Sequence, residues 1–160
     1  FGDDPALNDE AREVLGAAYE RAQAFQDAAF EAGPVSALHA DLHGGNLKWH
    51  QGRLSIFDFD DAGLGVPALD LAIAAYYLRD SDDLEDALRA GYSTVRTLPQ
   101  VTAEQFEAMV AGRNLLLVDD LLEQQNAELQ AFVPTYVESS VRRLRGWLQT
   151  GTYHRESPAG

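Results

Sequence analysis

His39-Ala40-Asp41-Leu42-His43-Gly44-Gly45-Asn46, followed by Ile56-Phe57-Asp58-Phe59, is the stretch that decides how this chain reads. It sets a carboxylate (Asp41), an amide (Asn46) and a second carboxylate (Asp58) around a short segment with a turn signal at Gln51-Gly52. Runs of Leu47-Lys48-Trp49-His50 and Arg53-Leu54-Ser55-Ile56-Phe57 flank that turn and predict a β-hairpin. Antiparallel pairing across two residues brings Asn46 and Asp58 back to the same end. One group to receive a hydroxyl proton and two hard oxygen ligands for magnesium form the donor set that phosphoryl transfer draws on.

Working outward, Asn8 predicts a helix cap, with Asp9 and Glu10 in the favourable first turn. Val14, Ala18, Phe25 and Ala29 recur at helical spacing until Gly33-Pro34. Val35 to Leu38 reads as a short strand leading into the motif, and Gly63, Gly65 and Pro67 as a turn-rich passage. Beyond Pro67 the pattern is helical: Asp70 to Arg79, Asp82 to about Val95, then a capping box at Thr102-Ala103-Glu104-Gln105 opening a long helix through Leu121. A last helix starts at Pro134 with Val137, Val141, Leu144 and Leu148 on one stripe, and the tail from Gly151 reads as frayed. No repeat or linker divides the chain.

The 160 residues carry 26 acids against 12 bases, a net charge of −14, and Lys48 is the only lysine. Such a surface repels phosphate backbones, which argues against nucleic acid and anionic membrane as partners. It serves solubility and also draws in cationic substrates. There are no cysteines, so disulfides, thiolate metal sites and a cysteine nucleophile are excluded. No apolar run approaches the roughly 20 residues that cross a bilayer, and no cleavable signal is visible. The expectation is a cytoplasmic protein. The first residue is Phe1, so further sequence is expected upstream.

Asp41 is the expected catalytic base: a hydroxyl attacking a γ-phosphate loses its proton, and a positioned carboxylate accepts it. Asn46 and Asp58 are the expected magnesium ligands. Asp58 sits inside an apolar run, where a bare carboxylate is costly without a cation or donors.

His39-x-Asp41-x4-Asn46, then Phe57-Asp58-Phe59-Asp60-Asp61-x-Gly63, then Asp70-Leu71-Ala72 resembles in order and spacing the aminoglycoside phosphotransferase and choline kinase family. It looks most like the branch with homoserine-kinase-like and stress-response kinases. The resemblance is strong over residues 35–78 and a matter of helical pattern beyond. It implies an α+β fold, a mostly helical, protein-kinase-like carboxyl-terminal lobe with a small catalytic β-hairpin. It also implies ATP and Mg2+ as cofactors and transfer of a γ-phosphate to a hydroxyl of a small molecule. By the same resemblance His39 and Asp70 support the loop structurally, while Lys48 and Phe57 are candidates for the floor beneath adenine. Lys48 stands where the family sets an apolar side chain. Asp60 and Asp61 either assist the metal, contact a substrate amine or hydroxyl, or are solvated turn residues. Ala40 stands where the family usually has glycine, a change that a negative φ accommodates. The nucleotide-clamping lobe of this family precedes the catalytic loop by far more than the residues present here. The whole of 1–160 is therefore read as the catalytic lobe alone, expected to be inactive in isolation, with an apolar upper face open to self-association.

Three other readings compete. A regulated protein kinase is disfavoured, because the residues between Asp58 and Asp70 are too few for an activation segment with a docking platform. A metal-dependent hydrolase would place His39, Asp41 and His43 on one face of an extended segment, but it leaves Asn46 and Asp58 without a role. A non-catalytic kinase-like binding module remains the alternative to the enzyme.

Overall fold

The computed structural model describes residues 4–155. The first helix, α1 (Asp9–Ala32), begins where Asn8 accepts a hydrogen bond from the Ala11 amide at 2.8 Å. It buries a stripe of Ala11, Leu15, Ala18, Ala22 and Ala29. Small residues on that stripe let two other helices approach closely. The long helix α4 (Ala103–Leu122) packs along α1, and the final helix α6 (Val133–Thr150) lies against both. The capping box that opens α4 is complete, with Thr102 and Gln105 exchanging side-chain-to-backbone bonds. Between them in sequence lie α2 (Pro67–Leu78), α3 (Asp82–Ser93) and a single-turn α5 (Ala127–Gln130). Helix α2 is apolar on nearly every side, from Ala68 to Tyr76, because α4 covers one flank and α3 another. Its first turn is already formed by Pro67, three residues ahead of the start expected at Asp70.

Four short strands carry the rest. Strands β2 (Leu47–His50) and β3 (Arg53–Ile56) form the expected hairpin, in register Leu47↔Ile56 to His50↔Arg53. Gln51 and Gly52 both take positive φ, as a tight turn between right-twisted strands requires. Strands β1 (Ser36–Leu38) and β4 (Gly63–Gly65) form a second antiparallel pair. Gly63-Leu64-Gly65 had only the signature of a turn, since two glycines in three residues mask a strand. It pairs because Gly65 lets the Leu38 side chain lie where a Cβ would clash at 2.7 Å.

The hairpin keeps an uncovered apolar side. Cross-strand neighbours Trp49 and Leu54 share it with Ile56, and all three are exposed. The tail after α6 is not frayed over its described part. Tyr153 is fully buried against Tyr76, and its amide donates to Glu107 at 2.7 Å. Arg79 at the end of α2 bonds both Glu107 oxygens and the Tyr153 carbonyl, which ties α2, α4 and tail into one knot. Among the described residues no helix is long and apolar enough to cross a membrane.

Candidate functional site

The loop from His39 to Asn46 is held from below by α2. Asp70, in the first turn of that helix, accepts from two consecutive amides, His39 N at 3.0 Å and Ala40 N at 2.8 Å. That grip fixes the peptide immediately before Asp41. Ala40 itself sits at φ 63°, in the left-handed region and not at the negative φ expected of it. An L-residue there is strained by about 1–2 kcal/mol. Ala40→Gly is therefore expected to raise stability by a few tenths to about 1 kcal/mol, the relief being partly offset by glycine's greater unfolded entropy. A lower melting temperature in Ala40→Gly would contradict the strain.

His39 has both ring nitrogens occupied. Nδ1 accepts from the Asp41 amide at 3.3 Å, so Nε2 carries the proton and donates to the Phe57 carbonyl at 3.1 Å. One imidazole thus ties the loop from His39 to Asn46 to the strand end that carries Asp58. With no lone pair left, His39 cannot join His43 and Asp41 around a metal, and the hydrolase reading loses a ligand. Among the described residues no group of three acids, histidines or cysteines is placed to hold a metal.

Asp41 is partly buried, with both carboxylate oxygens engaged. Oδ2 accepts from Asn46 Nδ2 at 2.8 Å and lies 3.4 Å from His43 Nε2, while Oδ1 pairs with Arg113 of α4. His43 Nδ1 accepts from the Gly45 amide at 3.0 Å, which leaves the proton on the Nε2 that faces Asp41. The ring lies so close over Gly45 that a Cβ there would meet it at 2.5 Å. Asn46 is buried and spends its amide nitrogen twice, on the Asp41 carbonyl at 2.9 Å and on its carboxylate. The amide oxygen thereby points away from Asp41, with no hydrogen bond to any described residue.

Asp58 follows Phe57, whose amide donates to the Asn46 carbonyl at 3.2 Å, so hairpin closure brings the two segments side by side. Its φ of 65° ends the strand alternation, and its carboxylate is exposed with no hydrogen bond to any described residue. Lys48 lies opposite Ser55, and Phe57 continues that face of β3, on the side away from Trp49 and Leu54. Both are exposed. Asp60 and Asp61 are exposed in the loop before β4. Asp61 is near enough to Asp120 of α4 to act on its charge. Burial pushes the Asp120 carboxyl above the usual range, Arg113 pulls it back, and Asp119, Asp61 and Asp41 push it up.

Sequence reading missed Arg113 and its companion Tyr77. Arg113 is buried, and its Nε and Nη2 donate to the Tyr77 hydroxyl at 3.2 and 2.8 Å. Burial opposes the guanidinium charge, but Tyr77, Asp41 and Asp120 outweigh it, so Arg113 stays firmly cationic. Burial likewise raises the Tyr77 hydroxyl, more than Arg113 lowers it, and keeps it protonated. A groove of about 750 Å³ runs between α1 and α4, with Tyr19, Glu20, Asp119, Ala40 and Arg113 among its walls. Asp41, Asn46 and Asp58 do not line it; Arg113 and Ala40 are where groove and loop adjoin.

This fold is similar to the structure of a microcompartment-associated aminopropanol kinase, with a TM-score of 0.75 at 21% identity over 96% of this chain and 50% of that one. It is similar also to amicoumacin kinase hAmiN in complex with AMP-PNP, Ca2+ and Ami, at a TM-score of 0.58 and 19% identity, covering 80% of this chain and 45% of that one. A stretch of 39 residues is 46% identical to amicoumacin kinase of Bacillus subtilis (strain 168), amounting to 24% of this chain and 12% of that protein. The chain spans about half the length of the solved kinases it matches. The expected kinase-like α+β architecture, mostly helical with a small hairpin, is therefore the one observed. Residues 2–105, from α1 through the His39–Asn46 loop and hairpin to the start of α4, match the phosphotransferase enzyme family, and the chain belongs to that family.

Proposed function

We propose that this lobe supplies the acceptor-activating and metal-holding half of an ATP-dependent phosphotransferase acting on a hydroxyl of a small molecule. The observation that carries the reading is the double grip on Asp41. Asp70 fixes the backbone before it, and Asn46 holds its carboxylate while its amide oxygen accepts from no described residue. A carboxylate so held can accept an acceptor's proton and keep its oxygen in line with a phosphate.

In this reading Asn46 Oδ1 and the Asp58 carboxylate hold magnesium. Both are hard oxygens without a protein donor, as that ion requires. When bound, magnesium offsets the charge of the nucleotide phosphates. Lys48 and Phe57 sit where one hairpin face can lie against adenine, the lysine through its methylenes. Asp60 and Asp61, with Asp119 and Asp120 across the loop, favour an acceptor bearing an amine. The neighbours agree in kind: one is an aminopropanol kinase, and the other was solved with AMP-PNP and Ca2+. A nucleotide lobe upstream would cover the apolar side of the hairpin and clamp the phosphates.

The test is metal dependence in the full-length enzyme. Asp58→Ala is expected to raise the magnesium concentration for half-maximal turnover sharply while the variant stays folded. An unchanged magnesium requirement would remove Asp58 from the site. Stoichiometric zinc or iron retained through purification would return the hydrolase reading.

A further inference from the structure

Resting on the phosphotransfer reading, we infer that Arg113 is a positioning residue of the reaction. It aligns the Asp41 carboxylate and keeps a permanent positive charge behind it.

A buried guanidinium is costly: its loss of hydration is recovered only with excellent partners, and such pairs are weak evidence of stability in themselves. Arg113 is 6% exposed and sits on the long helix α4. Its partners are not those of a generic core brace. Nη2 reaches Asp41 Oδ1, while Nε and Nη2 share the Tyr77 hydroxyl. The Tyr77 ring packs on the His43 ring, with centroids 4.8 Å apart, and His43 faces the other Asp41 oxygen. Arg113, Tyr77 and His43 thus form a cuff around one carboxylate, closed on the fourth side by Asn46. Oδ2 faces two donors, Asn46 and His43, whereas Oδ1 faces Arg113 alone and keeps a lone pair for an incoming hydroxyl.

In the transfer, the acceptor oxygen forms a bond to the γ-phosphorus as the bond from phosphorus to the β,γ-bridging oxygen breaks. That bond's electron pair leaves with ADP, and the hydroxyl proton passes to Asp41. The transition state is loose, so catalysis lies in placement more than in basicity. Arg113 serves placement: it allows Asp41 one orientation and stays cationic throughout. It also walls the groove between α1 and α4.

The experiment is steady-state kinetics on the full-length enzyme with MgATP, using 1-amino-2-propanol and water as acceptors. Wild type, Asp41→Asn, Arg113→Met, Arg113→Lys and Tyr77→Phe are compared, with thermal melts as the folding control. Arg113→Met is expected to lower kcat by on the order of 10²-fold, the scale of a misplaced reacting group, with the KM for ATP unchanged. Arg113→Lys should recover part of the loss, and Tyr77→Phe should show a smaller loss of the same kind. Should Arg113→Met not fold, Arg113→Lys and Tyr77→Phe decide alone: wild-type kcat in both overturns the inference. A folded Arg113→Met with wild-type kcat overturns it too, and if Asp41→Asn is meanwhile inactive, the phosphotransfer reading survives. An active Asp41→Asn, or a wild type with no turnover on either acceptor, brings down both.

Discussion

Asp41→Asn is expected to lower turnover of the full-length enzyme by on the order of 10²–10⁴, the usual contribution of a positioned proton acceptor. The substitution does more than remove a charge. Asn46 Nδ2 and His43 Nε2 both point donors at Oδ2, and Arg113 points another at Oδ1. An amide at position 41 satisfies one side and sets its own N–H groups against donors on the other. The loop therefore loses alignment as well as its proton acceptor. Nucleotide affinity is expected to change little. A coupled assay for ADP release measures the effect, and turnover within a few-fold of wild type in a folded variant would sink the role.

Glu107→Ala is expected to cost about 3–5 kcal/mol of stability, the range for breaking a buried ion pair from one side. Glu107 receives Arg79 through both oxygens and the Tyr153 amide through one, and its side chain is only 16% exposed. Its loss leaves Arg79 with Glu85 at 3.1 Å and strips the tail of its anchor. Against a total stability of about 5–15 kcal/mol, that is a large fraction. Urea unfolding should show the midpoint fall with the slope preserved. Replacing Arg79 and Glu107 together by Met and Leu should restore much of the loss, because no uncompensated charge then remains. A midpoint shift equivalent to under about 1 kcal/mol, the level of an exposed pair, would contradict the buried-pair account.

The motif from His39 to Asn46, the hairpin and most helix borders were legible because each is written locally. Gln51-Gly52 fixes the turn, Asn8 and Thr102 cap their helices, and the apolar spacings set the buried faces. What escaped is tertiary. Arg113 lies 72 residues from Asp41 in a stretch whose pattern reads as core helix, and nothing nearby signals that its guanidinium turns inward. Strand β4 was hidden because its two glycines belong equally to a turn; only the partner Leu38 makes them a strand. Ala40 was misjudged for a related reason. Its φ is imposed from outside by Asp70, and a carboxylate 30 residues away overrides what alanine prefers. The tail looked unanchored because Tyr153 is a single aromatic without periodic neighbours, and its burial depends on a socket built by α2 and α4.

Arg155 donates to the Tyr77 carbonyl at 3.3 Å and lies over the rings of Tyr76 and Tyr77. Tyr77 holds Arg113, and Arg113 holds Asp41. Three side chains, Arg155, Tyr77 and Arg113, thus connect the described end of the tail to the Asp41 carboxylate. A bulky label placed beside Arg155 is therefore expected to disturb the loop from His39 to Asn46, and labels belong elsewhere. Under the proposed phosphotransfer, a bulky ligand engineered to grip Arg155 is expected to slow turnover by the same route.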